Sequence, residues 1–182
     1  MSRTAGLYLL VLVALATVMF VKSVPPVTKA EPAMNWSEIK DGIVVPAKPT
    51  GIWTWAFDYV QGPALISIEA EGSWKYSGTQ QCGPDGQLNG LVGTANLILP
   101  GAPLGALLVK VGGSTAGVND GVVRVAGTRA VVTIDEKASG PVFLTINDEL
   151  TGLSDNDGQL KVKLSIARIA APPAAPKAAT SP

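Results

Sequence analysis

A chain of 182 residues with 47% hydrophobic and 15% charged side chains is long enough for one well-buried core and too short for two ordinary domains. Its 14 basic and 14 acidic residues cancel, so nothing in the net charge points to nucleic acid or an anionic membrane surface as a partner. Histidine is absent, which closes Ser-His-Asp and Cys-His catalysis and the usual zinc sites.

Arg3 precedes an uncharged apolar run from Ala5 to Val21 that ends at Lys22. The run lies between the core of a secretory signal, about 7–15 residues, and a spanning helix, about 20. Residues 1–30 therefore read as a signal peptide or a signal anchor in helical form, with small residues at Thr28 and Ala30 for cleavage. Cleavage gives a periplasmic or extracellular product; retention gives one anchored to the inner membrane through residues 5–21. Without Arg3, Lys22 and Lys29, acidic residues outnumber basic ones and the product is mildly acidic. Residues 31–40 read as a linker, 41–169 as the folded domain, and 170–182 as an Ala/Pro-rich disordered tail.

Within the domain, hydrophobic residues alternate with period two. The stretch WTWAFDYV sets Trp53, Trp55, Phe57 and Tyr59 against smaller or polar residues. It reads as an aromatic core face, with a sugar-stacking platform as the alternative. The stretch ALISIEAEGSWKY places Ile66, Ile68, Ala70 and Trp74 on one face and Ser67, Glu69, Glu71 and Lys75 on the other. Cys82 has no cysteine to pair with inside the chain and reads as a buried or sheltered thiol, with an intermolecular bridge as the alternative. GALLVKV, GVVRVA, RAVVTID and PVFLTIN are short β-branched runs bounded by Gly, Pro, Asn or Asp. QLKVKLSIA sets Leu160, Val162, Leu164 and Ile166 opposite Lys161, Lys163 and Ser165. No segment after residue 30 carries a long 3.6-residue period with caps. The expected fold is all-β, an antiparallel β-sandwich of about eight strands.

Between the last two of these strands lies NDELTGLSDNDG, Asn147 to Gly158, which gathers acids and amides in a chain otherwise poor in charge. Calcium takes six to eight oxygens from carboxylates, amide or backbone carbonyls and hydroxyls or water. A hairpin here brings together Asp148, Asp155 and Asn156. Gly152 lets the loop curl so that a backbone carbonyl turns inward, and Gly158 permits the exit turn. Two ionised aspartates neutralise a divalent ion and Asn156 adds an uncharged oxygen. The loop matches neither the EF-hand spacing nor a glycine-rich calcium repeat. On composition, a calcium site and a solvated acidic hairpin are equally open.

TINDELTGLSDNDGQLKVKLSI resembles the calcium loop and flanking strands of the bacterial PA-I type galactophilic lectins, the lectin A family. GSWKYSGTQQCGPDG and GALLVKVG resemble two further blocks of that family, and the three occur in family order over roughly residues 42–168. The resemblance implies a jelly-roll-like, galactose-binding-domain-like sandwich with Ca2+ as cofactor. It implies side-chain ligands from Asp148, Asp155 and Asn156, backbone carbonyls from Tyr76 and Gly152, and two sugar hydroxyls completing the shell. A galactose-like carbohydrate is then the partner, and a homo-oligomer the assembly. The family's sugar loop carries a histidine and a glutamine; this chain has no histidine, and its loop QLNGLVGTANLILPGAP is longer and rearranged. Gln87 and Asn89 lie in that loop, and Glu149 replaces an apolar residue beside the first calcium aspartate. These three, with Asp148 and Asp155, are the candidate ligand contacts.

The resulting expectation is an exported, non-catalytic, calcium-dependent carbohydrate-binding protein. The alternative is a structural or adhesive envelope protein whose calcium only stiffens a loop or has been lost. Glycoside hydrolysis by Asp148 and Asp155 is disfavoured, because carboxylates committed to a cation leave no protonated general acid.

Overall fold

The computed structural model describes residues 34–87 and 96–169. The apolar leader, Asn89 and the Ala/Pro tail from residue 170 lie outside the described residues. Among those described, nine strands follow in order: β1 (Trp36–Pro46), β2 (Thr54–Gln61), β3 (Ala64–Ser77), β4 (Gln80–Cys82), β5 (Leu107–Val111), β6 (Val122–Val125), β7 (Arg129–Ile134), β8 (Ser139–Ile146) and β9 (Asp157–Arg168). One sheet runs β1-β9-β3-β4, with β7 beside the first half of β3; the other runs β2-β8-β5-β6. Every pairing is antiparallel. One hydrophobic core, with residues from both sheets, makes the molecule the β-sandwich its patterning predicts.

β3 and β9 carry the fold, and both alternate along most of their length, with exposed Gly72 interrupting the inward face of β3. Ile66, Ile68, Ala70 and Trp74 of β3 are buried, as are Leu160, Val162, Leu164 and Ile166 of β9. On the opposite face the register sets Glu69 across from Lys163, Glu71 from Lys161 and Lys75 from Asp157. Such opposite-charge pairs add about 0.2–1 kcal/mol each. A one-residue slip would expose the whole apolar set, so pattern and charge specify the same register.

Three strands depart from the sequence reading: the short β4, where no strand is expected, and β1 and β2. β1 starts at Trp36, within the stretch read as linker. Its alternation is interrupted by an irregularity between Lys40 and Ile43, where Gly42 adopts φ +70°. Beyond it Ile43 and Val45 turn inward and Val44 outward. β2 does not present the expected aromatic face: register shifts follow Trp55 and Phe57, so Ala56 and Val60 face the core instead. Trp53 is buried just before the strand, Phe57 is half-buried, and Trp55 and Tyr59 are exposed.

β5 and most of β8 are buried on both faces, which is why GALLVKV and PVFLTIN read as continuous apolar runs. Their outer face is covered by neighbouring loops. The Thr145 hydroxyl donates to the Ile52 carbonyl at 2.6 Å. Lys110, fully buried, sends its ammonium into the loop after β5, where it donates to the Ser114 and Gly117 carbonyls and to Asp120 Oδ1 at 2.7 Å. The same ammonium lies 4.7 Å from the centre of the Trp53 ring and 5.1 Å from that of Phe143. A buried cation is tolerable only when so surrounded. The Lys110 bond, assisted by Ser114, holds the Asp120 carboxyl down at about 2.

Because that value is lowered on folding, the stability it adds is present above the ordinary carboxylate range and is lost as pH falls toward 2. Asp120→Asn is expected to lower the melting temperature at pH 7 by more than the double change Lys110→Met with Asp120→Asn. Removing one partner strands a buried charge, whereas removing both leaves none. Thermal melts of the two variants check the order.

Candidate functional site

The end of β8 and the start of β9 are joined by ten residues that fold back against the last turn of β3. Asn147 leads the loop and is fully buried. Its Oδ1 accepts the Leu99 N–H at 2.9 Å, and its Nδ2 donates to the carbonyls of Leu99, Ala102 and Pro103 at 3.0–3.3 Å. Main-chain bonds join the same segments: Gly105 N–H to Asn147 O at 2.8 Å, Asn147 N–H to Ala106 O at 2.7 Å, and Ile98 N–H to Asp148 O at 3.0 Å. A bridge pairs Leu97 with Glu149. One amide side chain thus fastens the 97–106 segment to the acidic loop, over 48 residues of separation.

Asp148 follows, and its side chain is turned inward. Oδ1 accepts the Glu149 N–H at 2.7 Å, while Oδ2 is buried with no partner. Next comes a single 3₁₀ turn, Gly152–Ser154, anchored by Leu153 in the core and closed by the Asp155 N–H on the Gly152 carbonyl at 3.2 Å. A Cβ on Gly152 would lie 3.1 Å from Asp148 Oδ1, so the turn passes close over the carboxylate. Asn156 is buried too. Its Nδ2 donates to the Ala47 carbonyl at 3.3 Å, and its Oδ1 is likewise buried and unpartnered. Gly158, at φ +90°, then lets the chain enter β9 with little room beside Trp74, a turn that an L side chain would strain.

Tyr76 completes the ring of candidates. Lys75 pairs with Asp157, the last pair of the β3–β9 ladder, and Tyr76 follows one residue beyond it, beside the exit of the loop. Its side chain is buried and packs against Gly105. The Trp74 indole donates to the Gly105 carbonyl at 2.8 Å, a second tie between β3 and the 97–106 segment. Gln87 is half-buried and its N–H donates to Leu104 O at 2.8 Å, which places it on the flank of that segment.

Burial raises the Asp148 carboxyl above the ordinary range. The neighbouring Asn156 side chain and the Glu149 N–H oppose that rise, while the Asp155 and Glu149 charges add to it. The Asn156 Nδ2 donates to Ala47 and lies close enough to the Asp148 carboxylate to favour its charge, while Asp148 Oδ2 itself has no partner within hydrogen-bond distance and angle. Cys82 is half-buried nearby, its thiol pushed up to about 11 by burial, with Trp74 opposing and the Asp148 charge adding. In the metal-free protein it is therefore neutral and a poor nucleophile.

Among the described residues no three His, Cys, Asp or Glu side chains converge as a metal site. A cation at this loop would rest on amide and backbone oxygens beside the carboxylates. The donor set fits a hard ion: it is all oxygen, and two of its oxygens are buried without partners. Such atoms each cost about 1–3 kcal/mol when unsatisfied. Asp155 and Glu149 differ from Asp148 in being exposed and half-buried, respectively. Composition marked all three acids equally; only the fold separates them. Asn147 was not singled out, and its position ahead of an acidic run gave no sign of its role.

A separate groove of about 440 Å³ lies over the outer face of the larger sheet, lined by Glu69, Glu71, Arg129, Lys161 and Lys163. Its charges pair across strands, and none of the acidic-loop residues lines it.

No protein-family model matches this chain, and no curated protein matches it in sequence. Among solved structures, it is similar to the N-terminal domain of EclA, described as a PllA-like lectin. The identity is 17% and the TM-score 0.50, over 70% of this chain and 97% of that one. At that identity the likeness is one of fold.

Asn147→Ala is expected to cost about 2–4 kcal/mol, because it deletes several buried hydrogen bonds and leaves their carbonyls unpaired. Hydrogen exchange followed by mass spectrometry should show faster exchange in residues 97–106 than in β3 or β9.

Proposed function

We propose that this protein is a calcium-dependent, non-catalytic carbohydrate-binding protein whose site is the Asn147–Gly158 loop. The observation that carries the proposal is the pair of buried, unpartnered oxygens, Asp148 Oδ2 and Asn156 Oδ1, within one short loop. Hydrogen bonding alone leaves both costly, and a bound cation satisfies both. Asp148, Asp155 and Asn156 would hold calcium through side chains, and Tyr76 and Gly152 through backbone carbonyls. When bound, the ion supplies positive charge for vicinal sugar hydroxyls, which replace two of its waters with one ligand. Glu149 and Gln87 flank the loop as hydroxyl partners. The lectin-like fold supports the carbohydrate part of this reading; the choice of calcium and of a galactose-like sugar rests on the loop and on the lectin A resemblance. A homo-oligomer, which the same resemblance implies, would raise avidity for multivalent glycans. Export through residues 1–30 belongs to the proposal and rests on the pattern of that segment.

Calcium at about a hundredfold its Kd is expected to stabilise the protein by about 2.7 kcal/mol, a rise in melting temperature of about 5–10 °C. A galactoside should add a further rise only when calcium is present. Calcium alone stabilising, with no increment from any sugar, would instead mark a structural ion. Asp148→Asn should abolish the calcium response while leaving the metal-free protein at least as stable, because it removes a buried, unpaired charge. The raised Asp148 carboxyl gives the matching pH dependence. Below its folded pKa the proton stabilises the metal-free state and competes with calcium, so calcium affinity should fall as pH drops through that range. Calorimetric titrations across pH, with and without methyl galactosides, test these outcomes.

A further inference from the structure

The displaced aromatic residues of β2 leave a second feature. A shallow pocket of about 430 Å³ lies between the 46–55 segment and the loop after β5, lined by Pro46, Thr50, Trp53, Thr54, Trp55 and Thr115. Trp55 is 60% exposed, while Trp53 behind it is 2% exposed. The Trp55 indole N–H donates to the Phe57 carbonyl at 3.0 Å, which fixes the direction of its ring. The other wall is also fastened. The Ile52 and Trp53 N–H groups both donate to the Thr115 carbonyl at 3.2 Å, and the Lys110 ammonium holds the Thr115 loop from beneath while lying against the Trp53 ring.

We infer that this pocket is a second, metal-independent saccharide subsite, which takes one neutral pyranose stacked on Trp55. The lining is uncharged and combines an exposed indole with three threonines. An indole face suits the C–H face of a pyranose, threonine hydroxyls both donate to and accept from sugar hydroxyls, and the absence of charge from the lining disfavours anionic or cationic ligands. Because the ring is already fixed, little side-chain freedom is lost on binding. The pocket shares a segment with the acidic loop: Pro46 pairs with Gln159, and Ala47 bonds both Gly158 and Asn156. The inference shares the carbohydrate class of the proposed function and none of its metal chemistry.

The test is backbone amide NMR of the full chain titrated with lactose, maltotriose, cellotriose and methyl galactoside, in EDTA and again in calcium. At least one of these probes in EDTA should shift the amides of residues 50–55 and 115, with Asp148→Asn behaving as wild type. Trp55→Ala should weaken that binding about fivefold to tenfold, and Trp55→Phe should recover most of it. Trp55 is largely exposed, so the alanine variant is expected to keep its fold, which its spectrum verifies. The subsite is overturned if no probe moves these amides in EDTA, whether or not calcium restores a shift, or if the shifts survive Trp55→Ala. It is equally overturned if Trp55→Ala changes only the sedimentation mass, which would mark an interface between copies. Failure of the acidic-loop reading is separable: it appears as amides of residues 147–158 indifferent to calcium.

Discussion

The pairing of β3 with β9 is the constraint on which the rest depends. It runs without a break from Ala64 against Arg168 to Lys75 against Asp157, and it is specified twice, by the buried aliphatic face and by the charge pairs on the other. Its far end sets the geometry of the acidic loop. Since Lys75 meets Asp157, the end of β3 lies beside the exit of the loop, and the chain returning from β8 must close the remaining gap in ten residues. A tight turn with two inward polar side chains is the result.

The second requirement is a wall for that turn. Asn147 and Trp74 supply it by binding the 97–106 segment from two sides, one from β8 and one from β3. Both spend buried polar atoms on long-range main-chain partners, which rigidifies the surroundings of the loop. Within that frame Asp148 Oδ2 and Asn156 Oδ1 are the atoms left over. The contrast with Lys110 is instructive. There a buried charge is fully provided for by carbonyls, a carboxylate and two ring faces, so it reads as structural.

How much was legible in the sequence follows from the kind of signal each element carries. β3 and β9 alternate over most of their length, and their inward residues Ile66, Ile68, Ala70, Trp74, Leu160, Val162, Leu164 and Ile166 were readable one by one. β5 and β8 were readable as strands, while their two-sided burial depends on loops distant in sequence. β1 and β2 contain register shifts, which break the period of two; the expected aromatic face of β2 dissolved for that reason, with Trp53 buried and Trp55 exposed. The acidic loop was visible as composition, but the difference between buried Asp148 and exposed Asp155 arises only when the turn closes. Asn147 and Lys110 were invisible because a buried polar residue is justified by partners, and theirs lie in loops that no local pattern connects to them.

The central claim is that the inward oxygens of the Asn147–Gly158 loop form a hard-cation site beside Trp74 and Tyr76. Terbium, a hard oxygen-seeking ion in the manner of calcium, tests it directly through luminescence sensitised by excitation of these aromatic residues. The account predicts a saturable signal that calcium displaces and that Asp148→Asn or Asn156→Ala removes. Terbium luminescence that is absent, or that persists unchanged in both variants, would contradict it.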